Sequence, residues 1–178
     1  MTPSLRTVFP LDPGFDETVA RIEKLRLRVW SKIVGDSMAR ERFGRDSVDC
    51  RSIHVLLELN ERLIAAARVT LCKEKNDVPD LISFQHCLEE MHFPLAVMSR
   101  TVVAEAEQGR GHSTLLTSER MKLAEENKMR EIWVESDQRR TSHLCNDLGF
   151  RIAAESPDKT VPGKWWLLRK GLLSRKTL

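Results

Sequence analysis

The stretch MSRTVVAEAEQGRGHSTLLTSERMKLAEEN, residues 98–127, changes character twice. A short apolar, β-branched run at Thr101–Val103 passes through a small acidic turn into Gln108-Gly109-Arg110-Gly111-His112-Ser113, and about fourteen helix-forming residues without Gly or Pro follow. The order predicts strand, loop, helix. Glycines at 109 and 111 let the backbone come close to a ligand, and the first turn of a helix presents amides that lack intrahelical partners. Such a junction favours an anionic group such as a pyrophosphate, and Arg110 adds a fixed cation. The spacing alone is equally compatible with a plain glycine-assisted turn.

At 178 residues the chain is expected to form one domain over 1–178 with a single core and no second domain, its ends at 1–13 and 171–178 flexible. Lys and Arg number 29 against 26 Asp and Glu, a formal charge of +3 spread along the sequence, which is only a faint argument for an anionic partner. Cys50, Cys72, Cys87 and Cys145 show no metal-type pairing, so no metal is expected. The start, broken by Pro3 and Pro10 and carrying Arg6, does not read as a secretory leader. The expectation is a reduced, cytoplasmic protein whose cysteines fill core. No apolar run approaches the roughly twenty residues that span a bilayer, so no membrane span is expected.

Upstream, Val19, Ile22, Leu25 and Val29 give Asp16–Trp30 a helical stripe, and a shorter helix is expected over Val34–Arg42. Ser52–Asn60 and Leu63–Leu71, separated by a polar turn, predict an antiparallel hairpin, although the alanines at 65–67 favour helix by propensity. Residues 73–94 form an irregular insertion with a helix expected over Leu81–Met91; it reads either as a substrate-side wall or as a surface excursion. Downstream, Glu131–Glu135 predicts a strand parallel to the one before the loop, reached by the helical crossover. A helix over Thr141–Leu148, closed by Gly149, then leads to strands at Phe150–Ala154 and Lys164–Leu168. No internal repeat appears.

Val102-Val103, four residues, then Gln108-x-x-Gly111-x-Ser113 resembles the acyl-coenzyme A signature of the GNAT superfamily of N-acyltransferases, with Ser113 in place of the family's Gly or Ala. The element order over about residues 16–170 is similar to that family too, and Asp147-Leu148-Gly149-Phe150 resembles the ending of its fourth helix. The resemblance implies an α/β fold with a mixed sheet of six to seven strands, one pair splayed, flanked by four to five helices. It also implies acetyl-CoA or a longer acyl-CoA as donor. Gln108, Gly109, Arg110, Gly111, His112 and Ser113 would hold the pyrophosphate, and the Ser113 hydroxyl would cap the helix. The backbone of Val102 and Val103 would meet the pantetheine arm, and Gln138 would replace an asparagine common in the family. The family's usual tyrosine acid falls at Cys145, in a chain without tyrosine.

A second resemblance touches other residues. Asp46-x-x-Asp49, Arg68 and Ser99-Arg100, after a helix ending in Arg28-Val29-Trp30, are similar to the pattern of acyl-homoserine lactone and N-acyl amino acid synthases, which take their acyl chain from an acyl carrier protein. It places Asp46, Asp49, Arg68 and Arg100 on the substrate side; the same residues also suit a structural ion-pair cluster. Those synthases carry a glutamate where this chain has Val97, which favours coenzyme A as donor.

Acyl transfer to an amine needs a free lone pair, a polarised carbonyl and a route for the thiolate to leave. Backbone amides near Val103 and Ala104 are expected to polarise the carbonyl. Glu105 is the favoured base, with Glu58, Glu135 and His54 behind it, and attack is expected to be direct in a ternary complex. The acceptor is a small-molecule or peptide amine. Edge-strand pairing of the last hairpin would give a homodimer. A non-enzymatic nucleic-acid module, suggested by Trp165, Trp166 and the basic pairs Arg169-Lys170 and Arg175-Lys176, is the alternative of another class, and a core strand with a solvated tail accounts better for those residues; no nucleic acid is expected.

Overall fold

The computed structural model describes residues 2–172, in the order β1 (Ser4–Val8), α1 (Phe15–Val34), α2 (Asp36–Phe43), β2 (Ile53–Leu59), β3 (Arg62–Cys72), α3 (Leu81–Phe84), β4 (Leu95–Val103), α4 (His112–Glu126), β5 (Glu131–Asp137), α5 (Gln138–Asn146), β6 (Arg151–Glu155) and β7 (Trp165–Gly171). The strands form one mixed sheet ordered β1-β2-β3-β4-β5-β7-β6. This is the α/β architecture expected from the sequence. The chain divides into two compact units, the first running to Val69 and resuming over Ser99–Arg120, the second comprising Thr70–Met98 and the residues from Met121 onward.

In the first unit, α1 turns Phe15, Val19, Ile22, Leu25 and Val29 inward to pack with Leu56, Ala66 and Val102. Gly35, at φ 82°, ends α1, so Val34 belongs to the first helix rather than opening the second. The β2–β3 hairpin turns on Asn60 and Glu61, at φ 51° and 63°, the double left-handed conformation that matches strand twist in a two-residue turn. This turn and burial on both faces of Ile64–Val69 override the helix propensity of the alanines. β1 was not foreseen, since the start of the chain carries no alternation strong enough to announce it. It pairs along Ser4–Val8 with His54–Glu58, Val8 is buried, and Pro3 and Pro10 flank the strand instead of interrupting it.

In the second unit, Leu95–Met98 of β4 runs parallel to Glu131–Val134, β5 is antiparallel to β7, and β6 pairs on the far side of β7. β4 therefore begins at Leu95, well before the run at 101–103 from which it was read. Trp133 sits at the core, edge-on to Phe84 and packed with Cys72, Cys87, Val97 and Leu167. The expected helix over Leu81–Met91 is only α3 followed by a 3₁₀ turn at Leu88–Glu90. Short-range bonds, Cys87 N–H to Phe84 O and Glu90 N–H to Cys87 O, both 2.9 Å, tighten the chain and carry Phe84, Cys87 and Met91 into the core.

α5 starts earlier than expected, at Gln138, because the Asp137 carboxylate caps it by accepting from Arg140 N–H at 3.0 Å. Gly149, at φ 73°, closes it as foreseen, with Phe150 N–H donating to Leu144 O at 3.0 Å. Cys72 and Cys87 are core residues, whereas Cys145 is half-buried and Cys50 exposed, so only part of the cysteine expectation holds. In β7 the buried residues are Leu167 and Leu168, while the two tryptophans are half-buried. The tail expected at 171–178 lies, from residue 173, outside the described residues, and Arg175-Lys176 with it.

Glu61 is held in a conformation that suits glycine, and its backbone carbonyl, which accepts from Arg21, would survive substitution. Glu61→Gly is expected to raise stability by about 0.5–1 kcal/mol, read as an upward shift of the urea midpoint at unchanged slope.

Candidate functional site

The glycine loop lies in the first unit, between Val103 and α4. Gly109 and Gly111 adopt φ 77° and 79°, both are exposed, and a side chain built on either would meet nothing within 4 Å. The corner is open. Gly111 takes the cap position of α4, its carbonyl accepting from Thr114 and Leu115 N–H at 3.0 and 3.2 Å. Ser113 is therefore already inside the helix, with its carbonyl bonded to the Thr117 hydroxyl at 2.8 Å, and does not cap it. The fifteen-residue helix thus follows a glycine, with the Thr114 and Leu115 amides turned back onto the Gly111 carbonyl and the positive end of the helix dipole at the corner.

Around this corner Gln108 braces the chain by donating through Nε2 to Val103 O at 3.2 Å. Arg110 Nη1 lies 3.2 Å from Glu107 Oε2, and His112 Nε2 lies 3.6 Å from the same oxygen. His112 is buried and neither of its ring nitrogens makes a hydrogen bond among the described residues. Val102 points into the core, leaving only its main chain for a ligand. Ala104 N–H is already bonded to Ile64 O at 2.8 Å, so of the two amides expected to polarise a carbonyl it is not free to do so.

The second cluster is a buried ion network in the same unit. Arg26 forms a two-pronged pair with Asp49, Nη1 to Oδ2 at 2.8 Å and Nη2 to Oδ1 at 3.0 Å. Arg68 donates to both Asp46 oxygens, to Asp49 Oδ1 at 3.1 Å and to Ser99 Oγ at 3.0 Å. Arg100 Nη2 reaches Asp46 Oδ2 at 3.0 Å, and its guanidinium lies over Phe43, which stacks on Trp30. The four residues singled out in sequence are thus brought together.

Arg26 was missed, and its signal was a charge at the i+4 position from Ile22 on the apolar stripe of α1. Arg120, also unforeseen and fully buried, spans Arg68 O and Ser99 O from α4. Burial alone would raise the Asp49 pKa, but the Arg26 hydrogen bonds and the charges of Arg26 and Arg68 hold it far below the carboxylate range. Burial lowers His54 to about 4, against the opposing effect of the Asp49 main-chain bond. His54 is therefore neutral, and since its Nε2 lies 3.0 Å from a carbonyl that can only accept, Nε2 carries the proton.

The network meets β4 at a kink. Arg100 has φ 54° inside a strand, the mark of a bulge, and the parallel ladder to β5 ends at Met98–Val134, just before it. Val97 is packed among apolar side chains.

Of the candidate acids and bases, Glu105 is exposed and paired with Lys32 at 2.5 Å, the setting of a solvated carboxylate. Glu58 is engaged by Arg6 and Arg21. In the second unit, Glu135 is half-buried and accepts from Ser156 and from Ser83 at 3.3 Å; burial, seconded by Asp158 and Asp80, pushes its pKa up although Ser156 works against it. The Cys145 thiol is pushed up by burial. Gln138 is exposed on the first turn of α5.

No protein-family model matches the sequence, and no curated protein matches it. Solved structures do, and the fold this chain shares with them is that of the GNAT N-acyltransferases. One is a CoA-dependent acyl-homoserine lactone synthase, BjaI, solved with SAM and isopentyl-CoA, at a TM-score of 0.73 and 12% identity over 97% of this chain and 85% of that one. Another is an acyl-CoA N-acyltransferase from Pseudomonas aeruginosa, with a TM-score of 0.68 and 14% identity over 96% and 100% of the two chains. FeeM, an N-acyl amino acid synthase from uncultured soil microbes, has a TM-score of 0.62 at 14% identity over 96% and 92%. Among the described residues, no helix is long and apolar enough to cross a membrane.

Two stability experiments test the network. Asp49→Ala strands Arg26 in the interior and is expected to cost about 3–5 kcal/mol, measured by urea unfolding. His54 has a folded pKa below its unfolded one, so between pH 6.5 and about 4 the unfolded chain binds more protons and stability falls as pH falls. The loss is roughly 3 kcal/mol across that window. Thermal unfolding of wild type should show this slope and His54→Gln should flatten it, while the Asp49 contribution is lost only on further acidification.

Proposed function

We propose that this protein is an N-acyltransferase that moves an acyl group from acyl-coenzyme A to an amine by direct attack. The observation that carries the reading is the open glycine corner at the mouth of α4, with a buried imidazole whose two ring nitrogens lack hydrogen bonds among the described residues. A buried polar ring without partners is costly unless a ligand supplies them. Main-chain amides of the first turn of α4, the Arg110 guanidinium and His112 would hold the diphosphate, and the kinked outer half of β4 would offer main chain to the pantetheine arm.

The donor thioester would supply an activated acyl carbon: the amine nitrogen forms a bond to it as the carbon–sulfur bond breaks, and the nitrogen loses a proton while the thiolate gains one. Burial raises the Glu135 pKa, which supports it as the proton acceptor, whereas Glu105 is exposed and paired with Lys32. Burial keeps the Cys145 thiol protonated. That supports proton donation to the leaving sulfur in the role the family gives to tyrosine, and speaks against a covalent acyl-cysteine.

The gathering of Asp46, Asp49, Arg68 and Arg100 supports a second reading, an N-acyl amino acid or homoserine-lactone type synthase fed by an acyl carrier protein. Native mass spectrometry with acetyl-CoA, a long-chain acyl-CoA and an acylated carrier protein offered together separates the two by which adduct forms. Gly111→Val tests the corner itself. There is room for the side chain, so the fold should persist with a loss of roughly 1–2 kcal/mol from the left-handed φ, while CoA binding measured by calorimetry is lost. Unchanged affinity in this variant would overturn the assignment.

A further inference from the structure

We propose that Glu107 is the resident anion of the glycine corner, competing with the donor's diphosphate for Arg110 and His112 and thereby setting how long a donor stays bound. The inference rests on the donor-site reading above.

The main chain of Glu107 is fixed. It ends the 3₁₀ turn Glu105–Glu107, and its N–H donates to Ala104 O at 2.8 Å. The side chain is not in solvent: it is only 15% exposed, against 52% for Glu105 on the same turn. One oxygen, Oε2, faces both Arg110 Nη1 at 3.2 Å and His112 Nε2 at 3.6 Å. A carboxylate beside the amino end of α4 is also favoured by the helix dipole.

These are the same features that would draw a diphosphate: the positive end of the helix, the guanidinium and the imidazole. The distance to His112 exceeds a hydrogen bond, so the carboxylate occupies the place without fully satisfying the ring. A ligand phosphate that did satisfy it would put two anions side by side, and rotation of the Glu107 side chain relieves that repulsion with the backbone left in place. The penalty falls on every ligand whose phosphate enters the corner and spares any ligand that lacks one. On departure of the spent donor the carboxylate returns to its partners, which speeds release.

The test uses the full chain, wild type and Glu107→Gln, with three probes: coenzyme A, inorganic pyrophosphate, and pantetheine, which has the thiol arm without phosphates. Calorimetry and stopped-flow displacement should show the variant binding coenzyme A and pyrophosphate roughly tenfold more tightly, mostly through slower dissociation, with pantetheine unchanged. Glu107→Ala should give the same gain. Equal or weaker coenzyme A binding in both variants, or a matching gain for pantetheine, would overturn the inference while leaving the donor site intact. Failure of wild type and variants alike to bind coenzyme A would instead overturn the donor-site reading beneath it.

Discussion

The first unit depends on the contacts of one guanidinium. Arg68 is wholly buried and ties Asp46, Asp49 and the Ser99 hydroxyl together, while Asp49 is held from the other side by Arg26 of α1. Helix α1, the loop before β2, strand β3 and the start of the outer half of β4 are thus joined by charge-assisted bonds as well as by apolar packing. Taking such groups out of water costs several kcal/mol per ion, and good geometry offsets that cost without large surplus. The structural return is register. Arg100 can hold a left-handed conformation inside a strand because its side chain is fixed by Asp46 and Phe43, and the kink falls where the ladder to β5 ends.

That kink and the glycine corner are two consequences of one chain segment. After the left-handed Arg100, β4 carries Val102 into the core. The 3₁₀ turn follows, and two glycines then bring the chain to the amino end of α4. Arg120, four residues past Leu116 on the same helix, reaches back to the carbonyls of Arg68 and Ser99, so the helix whose first turn forms the corner is also bonded to the strands that position it. The 3₁₀ turn and two left-handed glycines set the main chain of the corner, and Glu107, Arg110 and His112 bring charged and polar side chains to it.

Surroundings separate the carboxylates. Glu105, Glu58 and Glu155 all have cationic neighbours, whereas Glu135 has two serine hydroxyls and two nearby aspartates, and burial dominates its titration. The contrast is environmental rather than chemical, since all four are the same side chain.

The local grammar of the chain was legible before folding: the apolar stripe of α1, the hairpin, the strand-loop-helix-strand crossover, the left-handed Gly149, and the pairing of glycines with a helix start at 109–112. Each follows from the period of apolar residues or from what glycine alone permits, and these are properties of neighbours in sequence. Tertiary structure decided the rest. β1 is a strand because β2 lies beside it, and the Leu81–Met91 segment breaks because the Trp133 core draws Phe84, Cys87 and Met91 inward. Ser113 loses its capping role because α4 begins two residues earlier, at His112 with Gly111 before it. Arg26, read only as a helical residue, is the ion that closes the network, and Glu135 differs from Glu105 only through what packs against it. Burial and long-range partners fix charge and proton affinity, and neither is encoded in the spacing of one stretch.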